Sequence, residues 1–404
     1  MKRLQWSCLA AAGAFAIGTA GCPSPTHGID AAPSNDANDA AALGDANDMD
    51  SSVGLHRCVR PLMIESIEDL GAFPLPSSEV ASRDGTSSGL IAGRLLWTFG
   101  DTFVRHRNST DNSNVISATA GWSTVATPLA LEAPIDDGGL PNQFIPYTPE
   151  ELAANRADPL NGWALWPGAV IDTGSPEALV LFQRIKRTNG SGFDSAGVGT
   201  ARVAPNGAVA RRDPNDLFAN PLDAGVHDGA AIPLYGSGGV SVIDGYVYFF
   251  GCQSVGFFNS GCRVGRAPIA RADDRTAFEF WNSTEWSSDI TQAAIVIDHV
   301  GSGLSITLNP YLGCYLAVVG GVLNSSFTLR TSERLETRWN VSDGGVTVAA
   351  MPDSSVLPPS EGYDYLFQEH VALRSADGRQ IVISYARPTG PFLGEVRLAR
   401  ITLH

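Results

Sequence analysis

The sequence predicts an all-β protein, a five-bladed β-propeller preceded by a signal peptide and a disordered acidic tether. Three observations carry this reading. An apolar strand, a Gly/Asp/Asn turn and an aromatic-rich strand recur five times, at residues 90–103, 169–186, 240–252, 306–320 and 371–387. Each pair is followed by a third strand of related character, at 115–125, 197–203, 263–270, 327–331 and 395–403. Ala201-Arg202, Ala270-Arg271 and Ala399-Arg400 fall at or near the ends of three of these. The units recur every roughly 65 to 80 residues with long insertions between them, a spacing that suits blades. A β-sandwich would distribute its turn signals more evenly.

Taken in order, residues 1–21 read as a secretory signal. Lys2 and Arg3 form a basic start, Leu9 to Ile17 an apolar core, and Thr19-Ala20-Gly21 precede Cys22. Small residues directly before a cysteine resemble a bacterial lipoprotein signal, which implies lipidation of Cys22. Thr19 departs from the Leu preferred at that place, and ordinary cleavage nearby, leaving Cys22 a spare thiol, is the alternative. The apolar core is too short to span a bilayer as a helix. Residues 22–54 are rich in Ala, Asp, Asn, Ser and Pro, with six Asp and no Lys or Arg. Such a stretch buries too little apolar surface to fold and reads as a solvated tether. Residues 55–404 form the folded module.

The formal charge of −15 disfavours nucleic acid as a partner and fits an exported protein. The expected location is the cell envelope, with the membrane reached only through the N-terminal lipid, or else secretion; a monomer is expected. An exported location permits disulfides. Cys252 and Cys262 flank a Gly-rich turn and are the first pair expected, with Cys58 and Cys314 left by elimination. No His or Cys spacing suggests a metal site, and no redox cofactor is implied.

Within the module, the run Leu95 to Phe99 has the length and aromatic content of a buried strand, and it ends in Gly100-Asp101-Thr102. That places a carboxylate at the mouth of a rigid strand. Asp244-Gly245 and Asp377-Gly378 are hairpin turns in which both central positions favour positive φ. Thr148-Pro149-Glu150-Glu151 is a capping box opening one short helix to about Asn155. Gly85-Thr86-Ser87-Ser88-Gly89 spells the serine-hydrolase elbow, but that motif needs a helix after its turn, and here a strand follows.

A set of motifs resembles one family throughout residues 60–402. It opens with Arg83-Asp84-Gly85, Ser88-Gly89-Leu90, Gly93-Arg94 and Leu96-Trp97-Thr98-Phe99-Gly100-Asp101-Thr102. It continues through Gly239 to Tyr248, Ala270-Arg271, Ala277 to Trp281, Glu285-Trp286, Ser305 to Gly313 and Leu329 to Ser332. This order resembles an uncharacterised-domain family of five-bladed propellers whose characterised members are bacterial endo-D-arabinanases. The resemblance implies a glycoside hydrolase of furanose-rich polysaccharide, with Asp84 and Asp101 at the positions of the catalytic aspartates. Phe367-Gln368-Glu369-His370 departs from the His-Pro-Glu of the family.

Glycoside hydrolysis uses two carboxyl groups, one of which protonates the leaving oxygen. Asp84 and Asp101 lie seventeen residues apart across one hairpin, so both can reach one end of the axis. Trp97 and Phe99 beside Asp101 are of a kind that raises a carboxyl pKa and suits it to an acid role, and which of the two aspartates is the acid stays open. The plain alternatives are a turn residue for Asp84 and a strand-end cap for Asp101. Trp166 and Asn309 are candidate sugar contacts, and Glu369 and His370 are expected to start the last inner strand facing the axis. Trp166 reads equally as blade core, and a structural hydrogen-bonding role is the first expectation for His370. A glycan- or protein-binding propeller without chemistry is the rival reading.

Overall fold

The computed structural model describes residues 58–59, 61–189, 192–219, 234–256, 259–339, 345–352, 362–390 and 393–404. The signal segment, Cys22 and the tether lie outside them. Five antiparallel sheets make five blades. In blade one the inner strand comes in two pieces, Val80–Arg83 and Thr86–Ile91, both paired with Arg94–Val104, whose other edge carries Val115–Ser123. Blade two runs Trp163–Ile171, Ala178–Thr188, Gly192–Val203 and Arg211–Ala219. Blade three runs Leu234–Ile243, Tyr246–Gly256 and Asn259–Pro268, with Glu279–Trp281 and Ile295–Ile297 sharing its outer edge. Blade four runs Leu304–Asn309, Cys314–Gly320, Phe327–Ser332 and Val346–Val348. Blade five runs Tyr365–Glu369, Gln380–Gly390 and Leu393–Leu403, and takes Ile64–Ala72 from the other end of the chain as its outer strand. That pairing closes the ring.

The alternation of side chains along each second strand explains why the strands read as continuous apolar runs: both faces are buried between blades. Leu95, Trp97 and Phe99 pack against Val382, Val396 and Leu398 of blade five, whereas Leu96 packs with Leu165, Val180 and Phe182 of blade two. The pattern repeats with Leu179 and Leu181 against Val247 and Phe249, Phe250 and Val264 against Ile306 and Val319, and Leu316 and Val318 against Phe367 and Ile383. Each such side chain, fully buried, contributes about 1.5–3 kcal/mol. Cys58 is bonded to Cys314 and Cys252 to Cys262. The first bond fastens the segment before the closing strand to blade four, inside the seam between blades four and five.

The helix Pro149–Ala157 has the capping box, with Glu151 N donating to Thr148 Oγ1 at 3.2 Å and Thr148 N to Glu151 Oε2 at 3.0 Å. Asp244 and Gly245 take φ of 49° and 77° between paired strands. Blade five differs from the expectation. Residues Val371–Leu373 form a 3₁₀ turn, the inner strand is Tyr365–Glu369, and Glu369 ends that strand rather than starting it. Asp377-Gly378 therefore sits in a tight turn spanning Ser375 to Gln380, in which Gly378 alone has positive φ.

Candidate active site

The inner strand of blade one breaks at Asp84-Gly85. Arg83 pairs with Thr102 and Thr86 with Phe99, so Asp84 falls opposite Asp101. Asp84 N donates to Asp101 O at 3.1 Å, and Asp84 O accepts from Gly100 N at 3.0 Å. Asp101 N does not complete the ladder; it donates to Asp84 Oδ1 at 2.8 Å. A side-chain carboxylate thus replaces a main-chain carbonyl, which fixes its direction. Gly100 makes the room, since a Cβ there would lie 2.8 Å from Asp84 Oδ1.

Asp101 is 5% exposed. Its Oδ1 accepts from Ser117 Oγ at 2.8 Å and Trp166 Nε1 at 3.1 Å, and Arg187 Nη2 lies 2.8 Å from both oxygens. Arg187 comes from the end of the second strand of blade two and also donates to Ser117 Oγ at 3.3 Å. On the other side, Tyr365 OH, at the start of the blade five inner strand, donates to Asp84 Oδ2 at 3.4 Å. Behind Arg187 a polar recess of about 10 Å³, lined by Asp111, Tyr147, Trp163 and Arg187 among others, has room for about one water molecule. Trp166 meets Phe193 edge-on at 5.0 Å, and Tyr365 meets Tyr363 at 6.2 Å. Aromatic side chains thus stand on both sides of the acids.

The electrostatics separate the two carboxyl groups. Burial, and then the charge of Asp101, push the Asp84 carboxyl up to about 7, against the Asp101 N–H, the Arg187 charge and the Tyr365 hydroxyl. Burial, followed by the charges of Asp84 and Asp101, also lifts the Tyr365 hydroxyl well above the ordinary tyrosine range. The raised group is thus Asp84, and the aromatic rings near Asp101 in sequence are not placed against its carboxyl. Those rings turn into the seam with blade five, while Asp101 turns to blade two.

Trp166 is brought to the acids. The other expected sugar contacts are not. Asn309 ends its strand, donates to Gly378 O at 3.0 Å and accepts from Leu312 N at 3.1 Å, holding two turns together. Glu369 lies roughly 10 Å along the strand from Tyr365. It is buried, 2.5 Å from Arg374 Nη2 and accepting from Thr307 Oγ1 at 2.7 Å. His370 faces blade one: its Nδ1 is 2.7 Å from Ser88 Oγ and its ring 4.7 Å from Trp97, and burial takes its pKa down to about 3. Ser87, the serine of the apparent elbow, donates to Gln368 Oε1 at 2.8 Å from within an inner strand.

Three side chains that bond to the acids were missed: Arg187, Ser117 and Tyr365. The only sequence signal for Arg187 is the basic run Arg184 to Arg187 at a strand end of an acidic chain. Tyr365 was legible only with the last inner strand correctly placed.

A family described as a domain of unknown function, DUF4185, matches residues 84–368. No curated protein sequence matches the chain. Among solved structures, a family 117 glycoside hydrolase from the marine bacterium Zobellia galactanivorans is 12% identical, with a TM-score of 0.50 over 84% of this chain and 89% of that one. A glycosyl hydrolase from Bacteroides ovatus is 10% identical, with a TM-score of 0.46 over 84% and 94%. An α-L-arabinofuranosidase from Podospora anserina, solved with cellotriose, is 11% identical, with a TM-score of 0.41 over 83% and 95%. At such identities the first likeness speaks for the fold.

Proposed function

The chain belongs to the DUF4185 family, and we propose that it is an exported, lipid-anchored glycoside hydrolase acting on furanose-containing polysaccharide of arabinan type. The observation that carries the reading is the pair of facing carboxyl groups in unlike surroundings. Asp84, pushed up to about 7, carries a proton in about half of the molecules at neutral pH and gives it to the leaving glycosidic oxygen. Asp101, held by Ser117, Trp166 and Arg187, presents a fixed negative charge to the positive charge that builds on the sugar ring; water adds to the anomeric carbon as the glycosidic bond breaks, and a proton is returned to Asp84. A raised carboxyl facing one that is ion-paired to an arginine is the pattern expected of an acid and its charged partner. Trp166, Phe193, Tyr363 and Tyr365 supply ring faces for sugar stacking. The Zobellia galactanivorans neighbour, itself named a glycoside hydrolase, agrees with the reading. The arabinan assignment rests on the motif resemblance, and the envelope location on the Cys22 signal.

The Asp101–Arg187 ion pair favours a second reading, a glycan-binding propeller without chemistry. Reducing-sugar release from a panel of arabinans and galactans separates the two. Release by the parent and none by Asp84→Asn supports hydrolysis. Retention of the parent on immobilised glycan with no release supports the binding module.

A further inference from the structure

We propose that Arg187 is a positioning residue for proton transfer: reaching over from blade two, it fixes Asp101 as the charged neighbour that keeps the proton on Asp84. The inference rests on the reading of Asp84 as the proton carrier and adds the residue on which that role depends. Its basis is geometric. One guanidinium nitrogen of Arg187 is 2.8 Å from both oxygens of Asp101, and Asp101 in turn donates its N–H to Asp84 Oδ1 at 2.8 Å. The three residues are therefore linked in series across a blade seam, Arg187 to the Asp101 side chain and the Asp101 main chain to the Asp84 carboxyl.

Arg187 is the cation whose charge acts on both carboxyl groups. Asp84 is faced by Asp101, Tyr365 and the more distant Arg187 charge. Asp101 is faced by Ser117, Trp166 and Arg187. Arg187 is faced by Asp101, Tyr147 and Asp84. Arg83, the chain neighbour of Asp84, is turned away, with its guanidinium 4.4 Å from the Phe99 ring centre. Two carboxyl groups on opposed strand positions resist ionising together. A cation placed on one of them decides which loses its proton first. Without Arg187 the pair should share a proton to higher pH, and Asp84 would lose its separate identity as the acid.

The test is ¹³C NMR titration of the aspartate side-chain carboxyls in the full chain, in the parent and in Asp84→Asn, Arg187→Gln and Arg187→Lys variants. In the parent one carboxyl titrates near 7, and Asp84→Asn removes that signal. In Arg187→Gln the midpoint moves up by at least about one pH unit and Asp101 titrates in the same span. In Arg187→Lys, which keeps the charge, the single midpoint returns to the parent position. A Gln variant with the parent midpoint and a silent Asp101 overturns the proposal, as does a Lys variant that behaves like Gln. If the Gln variant does not fold, the Lys variant alone decides: a midpoint displaced by one pH unit or more overturns it, and one at the parent position supports it. The titration needs no substrate. Absence of sugar release alongside the expected titrations would sink the hydrolase reading and leave standing the role of Arg187 in deciding which carboxyl carries the proton.

Discussion

Gly100→Ala is the substitution that bears most sharply on how Asp84 is held. The added Cβ would stand 2.8 Å from Asp84 Oδ1 and 3.3 Å from Asp84 O, so the carboxylate must swing aside. Gly100 is not among the positive-φ residues, so the effect comes from crowding rather than backbone strain. The swing breaks the 2.8 Å bond from Asp101 N, a hydrogen bond to a protonated carboxyl worth about 0.5–1.5 kcal/mol. Crowding adds about 1–3 kcal/mol, and a loss of about 3 kcal/mol is expected. Denaturant unfolding reads the stability, and carboxyl titration reads Asp84. Because the Asp101 N–H draws the Asp84 pKa down, its loss should move the midpoint above the parent value. An Ala variant with parental stability and an unmoved Asp84 midpoint would refute the reasoning.

Three further outcomes follow from the same structure. Glu369→Gln breaks a buried ion pair with Arg374 and should cost about 3–5 kcal/mol in denaturant. The folded variant should keep parental specific activity, since Glu369 stands away from the acids. Cys58→Ser opens a loop of 256 residues and should cost about 2–5 kcal/mol, seen calorimetrically as a fall in Tm of several degrees. The raised pKa of Asp84 has a definite sign in stability. The folded chain holds that proton more tightly than the unfolded one, so the contribution is full below about 4. It is lost as pH climbs to about 7, at most about 4 kcal/mol, and Tm against pH for Asp84→Asn should lack that decline.

The ring of blades was legible because each second strand buries both faces, which leaves runs such as Leu95 to Phe99 and Leu179 to Phe182 in the sequence. Asp84 and Asp101 were legible as a pair because their partnership is local, across one hairpin. What escaped was non-local. Arg187 reaches Asp101 from another blade, and no spacing along the chain encodes a contact across a seam. The choice of acid stayed open in the sequence for a related reason. Trp97 and Phe99 are close in sequence but point into the blade five seam, so closeness along the chain did not show which side chains meet the Asp101 carboxyl. In blade five the Asp-Gly signal at 377–378 is real as a turn, but the strand before it was placed where a 3₁₀ turn lies. That displacement made Glu369 and His370 look axial and hid Tyr365.

The most direct test of the account is the pH dependence of kcat/KM for sugar release from arabinan, with Asp84→Asn as control. A proton held by Asp84 predicts activity that falls as pH rises through about 7, and no release by the variant at any pH. A rate that rises through neutrality, or a variant as active as the parent, would contradict it.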